Sequence, residues 1–190
     1  KNNKESKIIA KKFTYNDKEY AIIKYDRNNL IKDEYSTLGL ARSIVIYNNK
    51  IVCFSPPKSI DYNEFIAQYS CDESYAEDFI DGTMINLFYN DSEWEVATKS
   101  TIGANNQFFV NNENDKRYSF REMFFDACNI SNININNLNT EYSYSFVLQH
   151  PNNRIVTPID FPKVFLIRVY RIDNLSNIVE EISNEIIFNT

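Results

Sequence analysis

The sequence predicts an α+β domain of mainly antiparallel sheets with few helices. Three observations carry that reading. Short runs rich in β-branched and aromatic residues recur along the chain. Two pairs of these runs are separated by only two and four polar residues, as in hairpins. Only one segment combines a clear helix-start signal with apolar residues at helical spacing.

The strands follow in order. Residues 20–25 (YAIIKY) form the first. Residues 43–47 (SIVIY) and 50–55 (KIVCFS) are joined across Asn48-Asn49, a pair suited to a tight turn. Residues 84–89 (MINLFY) and 94–98 (WEVAT) make a second hairpin around Asn90-Asp91-Ser92. Residues 142–148 and 164–170 (VFLIRVY) complete the set. A short helix is expected over 61–69. The stronger one covers 119–128 (SFREMFFDAC), where Ser119 and Glu122 form a capping box. Phe120, Met123, Phe124 and Ala127 then share one face, which should pack on the sheet. The Asn-rich stretch 129–139 stops that helix and reads as a loop or weak strand.

Composition sets the outer bounds. The chain has 190 residues, 43% of them apolar, so it buries a core without disulfides or metal and is not a disordered tail. A single domain over 1–190 is expected, cut from a longer protein because the chain begins at Lys1 and not Met. Net charge is −6, which excludes a wholly basic nucleic-acid cloak but leaves room for a local basic groove. No apolar run is long enough to span a bilayer, and no membrane partner is expected. Cys53, Cys71 and Cys128 are odd in number and share no metal-ligand spacing, so neither a disulfide frame nor a structural zinc is expected. With no signal-like start, an intracellular, cytoplasmic setting is the default.

Candidate chemistry gathers at strand ends. Phe79–Met84 (FIDGTM) puts a carboxylate, Asp81, and a permissive backbone, Gly82, just before a strand. For an Asp-Gly pair alone, a tight turn is the plainer reading. The hairpin after it returns as Thr98-Lys99-Ser100, which brings Lys99 back to the same end of the sheet; a solvated lysine is the alternative. Arg42 opens the strand at 43–47, and Pro56-Pro57 aims Lys58 as the chain leaves that hairpin. Arg42, Lys58 and Lys99 are candidates for one anion clamp, against the alternative of scattered surface charges. His150, the single histidine, precedes Pro151 and reads as a structural residue at a strand end.

The ordered set of motifs resembles the nucleotidyltransferase domain of the phage-type RNA ligases, within the covalent nucleotidyltransferase superfamily of ligases and capping enzymes. The family pattern R-G-[IV]-[IV]-F is matched by Arg42-Ser43-Ile44-Val45-Ile46, and P-x-x-K-F-F-N by Pro56-Pro57-Lys58-Ser59-Ile60. K-x-D-G-[ST] falls on Phe79-Ile80-Asp81-Gly82-Thr83, and K-[ST]-x-G-S on Lys99-Ser100-Thr101-Ile102-Gly103. The strand F-E-[FL]-V-x-P-x-N-R-I-V runs from Phe146 to Val156, and Leu166-Ile167-Arg168 supplies the strand ending in arginine. The likeness spans residues 20 to 175 or so.

That resemblance implies a nucleotidyltransferase (ATP-grasp-like ligase) fold, ATP or GTP with Mg as cofactor, and a nucleotide or RNA end as partner. It implies nucleotide or phosphate contacts from Arg42, Lys58, Asp81, Gly82, Lys99 and Arg154, and the cell of a viral infection as one setting. The departures are chemical. Phe79 stands where the family has its nucleophilic lysine, and it has no nucleophilic atom. Val147 stands where the family has a glutamate. No E-G-x-V or K-x-K motif follows, and Lys163 is the last lysine. Three readings stay open: a degenerate domain that binds a nucleotide or RNA end without a lysyl-nucleotide; an active enzyme with Lys58 as displaced nucleophile; and a structural or interaction module on the same scaffold.

Overall fold

The computed structural model describes residues 6–106, 118–153, 156–176 and 178–182. It is an α+β arrangement of two antiparallel sheets and, among the described residues, two α-helices. The first sheet has the order β1 (Ile8–Tyr15), β2 (Lys18–Tyr25), β3 (Ile44–Tyr47), β4 (Lys50–Cys53). The second contains β5 (Thr83–Asn90), β6 (Glu93–Ala97), β7 (Tyr142–Gln149), β8 (Lys163–Asp173) and β9 (Ile178–Ile182), in the order β6-β5-β7-β8-β9. Helix α1 spans Tyr62–Gln68 and α2 spans Phe120–Ile130. None of the helices described is long and apolar enough to cross a membrane.

Turn chemistry closes the hairpins. Asn48 and Asn49 take φ of 48° and 59°, and Asp91 and Ser92 take 55° and 70°. Asn and Asp tolerate this left-handed region better than most residues. A third such turn, Asn16-Asp17 (49° and 58°), joins β1 to β2 and was not expected from the sequence. Strands β1 and β9 were also missed. Both lie at sheet edges and are largely exposed, so neither shows a buried face in its residue pattern. The 129–139 stretch contains the end of α2 and a 3-10 turn at Ile135–Asn137, with no strand.

Three layers stack on β5, whose side chains alternate between two cores. Ile85 and Leu87 face α2, alongside Phe120, Phe124, Tyr144 and Phe146. Phe88 faces the first sheet, with Tyr20, Ile22, Val45 and Cys53. On that same side Asn90 Nδ2 donates to the Tyr20 hydroxyl at 3.0 Å. Met84 and Asn86 therefore point to the seam between the sheets.

Helix α2 starts as its sequence dictates. The Ser119 hydroxyl accepts from the Glu122 N–H at 3.2 Å, and Glu122 accepts from the Ser119 N–H at 2.8 Å. Ser119→Ala should cost about 1 kcal/mol by removing that cap, read as a drop in the urea midpoint at unchanged slope.

Candidate functional site

The seam between the sheets opens into a cleft of about 660 Å³ at the start of β5. Its walls include Arg42, Asp81, Gly82, Met84, Val147 and Phe165. A smaller hollow of about 40 Å³ lies beside it, lined by Ser43, Ser55, Pro56, Asn86 and Lys99. Arg42 and Met84 line both, so the two are contiguous.

Asp81-Gly82 is built into the fold. Asp81 Oδ2 accepts from the Thr157 N–H at 3.0 Å, and its main-chain carbonyl accepts from Gln149 Nε2 at 2.8 Å. A Cβ on Gly82 would sit 2.5 Å from the Leu148 carbonyl oxygen and 2.5 Å from Val147 Cγ1. The close approach that requires glycine is thus made by β7. Gly103 is held likewise: φ is 78°, and a Cβ would meet the Tyr15 ring at 2.3 Å.

Lys99 follows β6 in a bend closed by the Thr98 N–H to Thr101 carbonyl bond of 2.9 Å. Its ammonium lies 5.4 Å from the centre of the Tyr25 ring. Lys24 donates to Ser100 Oγ at 3.0 Å. Partial burial, and then the charges of Arg42, Lys24 and Arg27, hold the Lys99 ammonium below its ordinary pKa. Among the described residues no carboxylate lies within ion-pair distance of these four cations. In an acidic chain they form a positive patch without ion-pair partners among the described residues.

Lys99 links stability to pH. The folded state disfavours the charged amine relative to the unfolded chain, so the unfolded chain binds more protons. Stability relative to Lys99→Gln should therefore rise as pH climbs toward 10.5 and level off above it. Denaturation of both proteins across that range checks this; a flat or falling difference would contradict it.

The other candidates lie elsewhere. Lys58 lines neither hollow. Its N–H donates to the Gly39 carbonyl at 2.9 Å, and its ammonium sits 4.6 Å from the Tyr35 ring centre and donates to the Ser59 carbonyl. Arg154 lies outside the described residues. Phe79 stands on the cleft wall with its side chain 98% exposed. His150 is buried: Nδ1 accepts from the Asn152 N–H at 3.1 Å, so Nε2 carries the proton and donates to Asp126 Oδ2 at 3.1 Å. It is a tie between α2 and the end of β7.

Three further groups were missed as site residues in the sequence. Arg168 lines the cleft, paired with Glu181 at 2.9 Å and Glu77 at 3.4 Å; the motif strand ending in arginine was its signal. Lys24 and Arg27 join the patch only through packing of β2 beside the β6 bend, for which the sequence carries no local mark. Among the described residues no group of three or more His, Cys, Asp or Glu is placed to hold a metal ion.

No protein-family model matches the chain. One curated protein, an RNA ligase of Rhodothermus phage RM378, is 33% identical over 100 residues. Over that stretch the chain is similar to a phage RNA ligase. The matched stretch is 50% of this chain and spans 22% of that relative's length.

Proposed function

We propose that this chain is an RNA ligase-like nucleotidyltransferase domain that binds a nucleotide or RNA end without forming a lysyl-nucleotide. The observation that carries the proposal is the pair Arg42 and Lys99, free of carboxylate partners among the described residues and lining the two adjoining hollows beside Asp81-Gly82, with Lys24 and Arg27 adding to their field. Arginine and lysine so placed form charge-assisted hydrogen bonds to phosphate oxygens. The cleft beside them, walled by Met84, Val147 and Phe165, offers apolar surface to a base and sugar. ATP and GTP are the nucleotides to test, and the phage relative favours a viral, RNA-directed role.

The chemistry of covalent transfer is missing from its expected place. Phe79 supplies no amine, and Val147 supplies no carboxylate. Lys58 has its ammonium on the Tyr35 ring, on a different segment. In-line attack needs reacting atoms about 3–3.5 Å apart, so moving the nucleophile to another segment would re-site the whole substrate.

Filter binding with labelled ATP, GTP and a 5′-phosphorylated RNA oligonucleotide tests the reading. Saturable retention of at least one is expected, and retention of none would leave a scaffold module. Phe79→Lys is the complementary variant: a covalent adduct gained there would place the lost chemistry at that one position.

A further inference from the structure

We infer that the Phe79 ring is a stacking platform for an unpaired nucleobase at the rim of the cleft. The inference rests on the nucleotide-binding reading and adds the residue that would take the base.

Phe79 lines the cleft, yet its side chain is 98% exposed, so both faces of the ring are open. A phenyl ring normally gains by burial, and this one has almost no protein to pack on. Its backbone is nevertheless held on both sides. Glu77 Oε2 lies 3.4 Å from Arg168 Nη2 on β8. Asp81 accepts from the Thr157 N–H at 3.0 Å and, through its carbonyl, from Gln149 Nε2 at 2.8 Å. Phe79 thus sits on a short span tied at each end to the second sheet. Tyr75, on the other side of Glu77, is 79% exposed and stands close enough to Arg168 to act on its charge. A lone exposed apolar residue is ordinary, but two open rings beside a cleft of ligand size mark a contact surface.

The charges around the ring select a base over a phosphate. Asp78, next in the chain, puts a carboxylate on the same cleft wall. Of the two cations lining the cleft, Arg168 is already paired with Glu77 and with Glu181 at 2.9 Å. The other, Arg42, is shared with the small hollow that Lys99 lines and Phe79 does not. Phosphate is therefore repelled near Phe79 and drawn toward Arg42 and Lys99. A flat, neutral, polarizable ring is what an open phenyl face beside carboxylates takes, and every nucleobase offers one. The same carboxylates disfavour the crowded phosphates of a duplex, so the base must be unpaired. Its source is either a free nucleotide or the end of an RNA strand.

Fluorescence titration of the full chain with two 2-aminopurine probes distinguishes these sources. One is 2-aminopurine riboside 5′-triphosphate; the other is a 5′-phosphorylated RNA oligonucleotide with 2-aminopurine as its first base. Stacking on an aromatic ring quenches this base. Phe79→Ala and Phe79→Tyr accompany the parent chain, with inorganic triphosphate as a ligand that has no base. Quenching of at least one probe is expected in the parent. Phe79→Ala should bind that probe about tenfold more weakly and lose most of the quenching, while Phe79→Tyr keeps both. Inorganic triphosphate should bind all three alike. Quenching of the triphosphate probe alone would assign the platform to a free nucleotide, and of the RNA probe alone to an RNA end. Phe79→Ala with parental affinity or parental quenching would overturn the platform, leaving the nucleotide reading in place and the ring to a protein partner. Weaker binding of inorganic triphosphate in Phe79→Ala would also overturn it, since a base platform has no part in that contact. Failure of both probes to bind the parent would remove the platform and the nucleotide reading together.

Discussion

Phe124→Ala should destabilise the protein by about 3–5 kcal/mol, the usual cost of removing a fully buried aromatic ring. Phe124 is fully buried on α2, with its ring centre 5.5 Å from that of Phe146 on β7 in an edge-to-face contact and 5.5 Å from that of Phe125. The cavity would open between helix and sheet, where Ile85, Leu87 and Phe120 are held by their own strands and helix turns and cannot collapse far. Against a total stability of about 5–15 kcal/mol for a domain, that loss is large. Phe79→Ala is the matched control. Its ring is 98% exposed, so the same change of residue should leave stability within about 0.5 kcal/mol. Urea unfolding of both variants measures the contrast, and an unchanged midpoint for Phe124→Ala would mean the helix face is not core.

Removing Arg42 and Lys99 together should weaken ATP or RNA-end binding by about a hundredfold or more. Each would give up a charge-assisted contact of about 1.5–3 kcal/mol, and each 1.4 kcal/mol is about tenfold in affinity. Stability should not fall in parallel. Neither residue has a carboxylate partner among the described residues to strand, and removing Lys99 relieves its repulsion with Lys24, Arg27 and Arg42. A binding loss without a stability loss is therefore the signature of ligand contacts. RNA affinity should also fall steeply with salt in the parent chain and less steeply in the variant. Calorimetry at two salt concentrations reads both effects; unchanged affinity would put the phosphates elsewhere.

Strands buried on both faces were the most legible in the sequence. Residues 84–89 and 142–148 are mostly apolar or aromatic, broken only by Asn86, Ser143 and Ser145, because β5 and β7 lie between a helix and a second sheet. Helix α2 was legible because its cap and its apolar face agree. The exposed edges β1 and β9 left no such pattern. At the site, Arg42, Asp81, Gly82 and Lys99 sit at strand ends, and the topology carries them to two adjoining hollows. Lys58 was read with them because Pro56-Pro57 aims it from the same hairpin. Its direction is set instead by the Gly39 carbonyl and the Tyr35 ring, which no local pattern reveals.

Incubation with ATP or GTP labelled at the α-phosphate, followed by native and then denaturing electrophoresis, tests the central claim most directly. Label is expected to travel with the chain in the native gel and to leave it completely on denaturation, because Phe79 supplies no attacking amine. Label that survives denaturation at stoichiometric yield and disappears in Lys58→Ala would contradict the claim and make the chain an active nucleotidyltransferase with a displaced nucleophile.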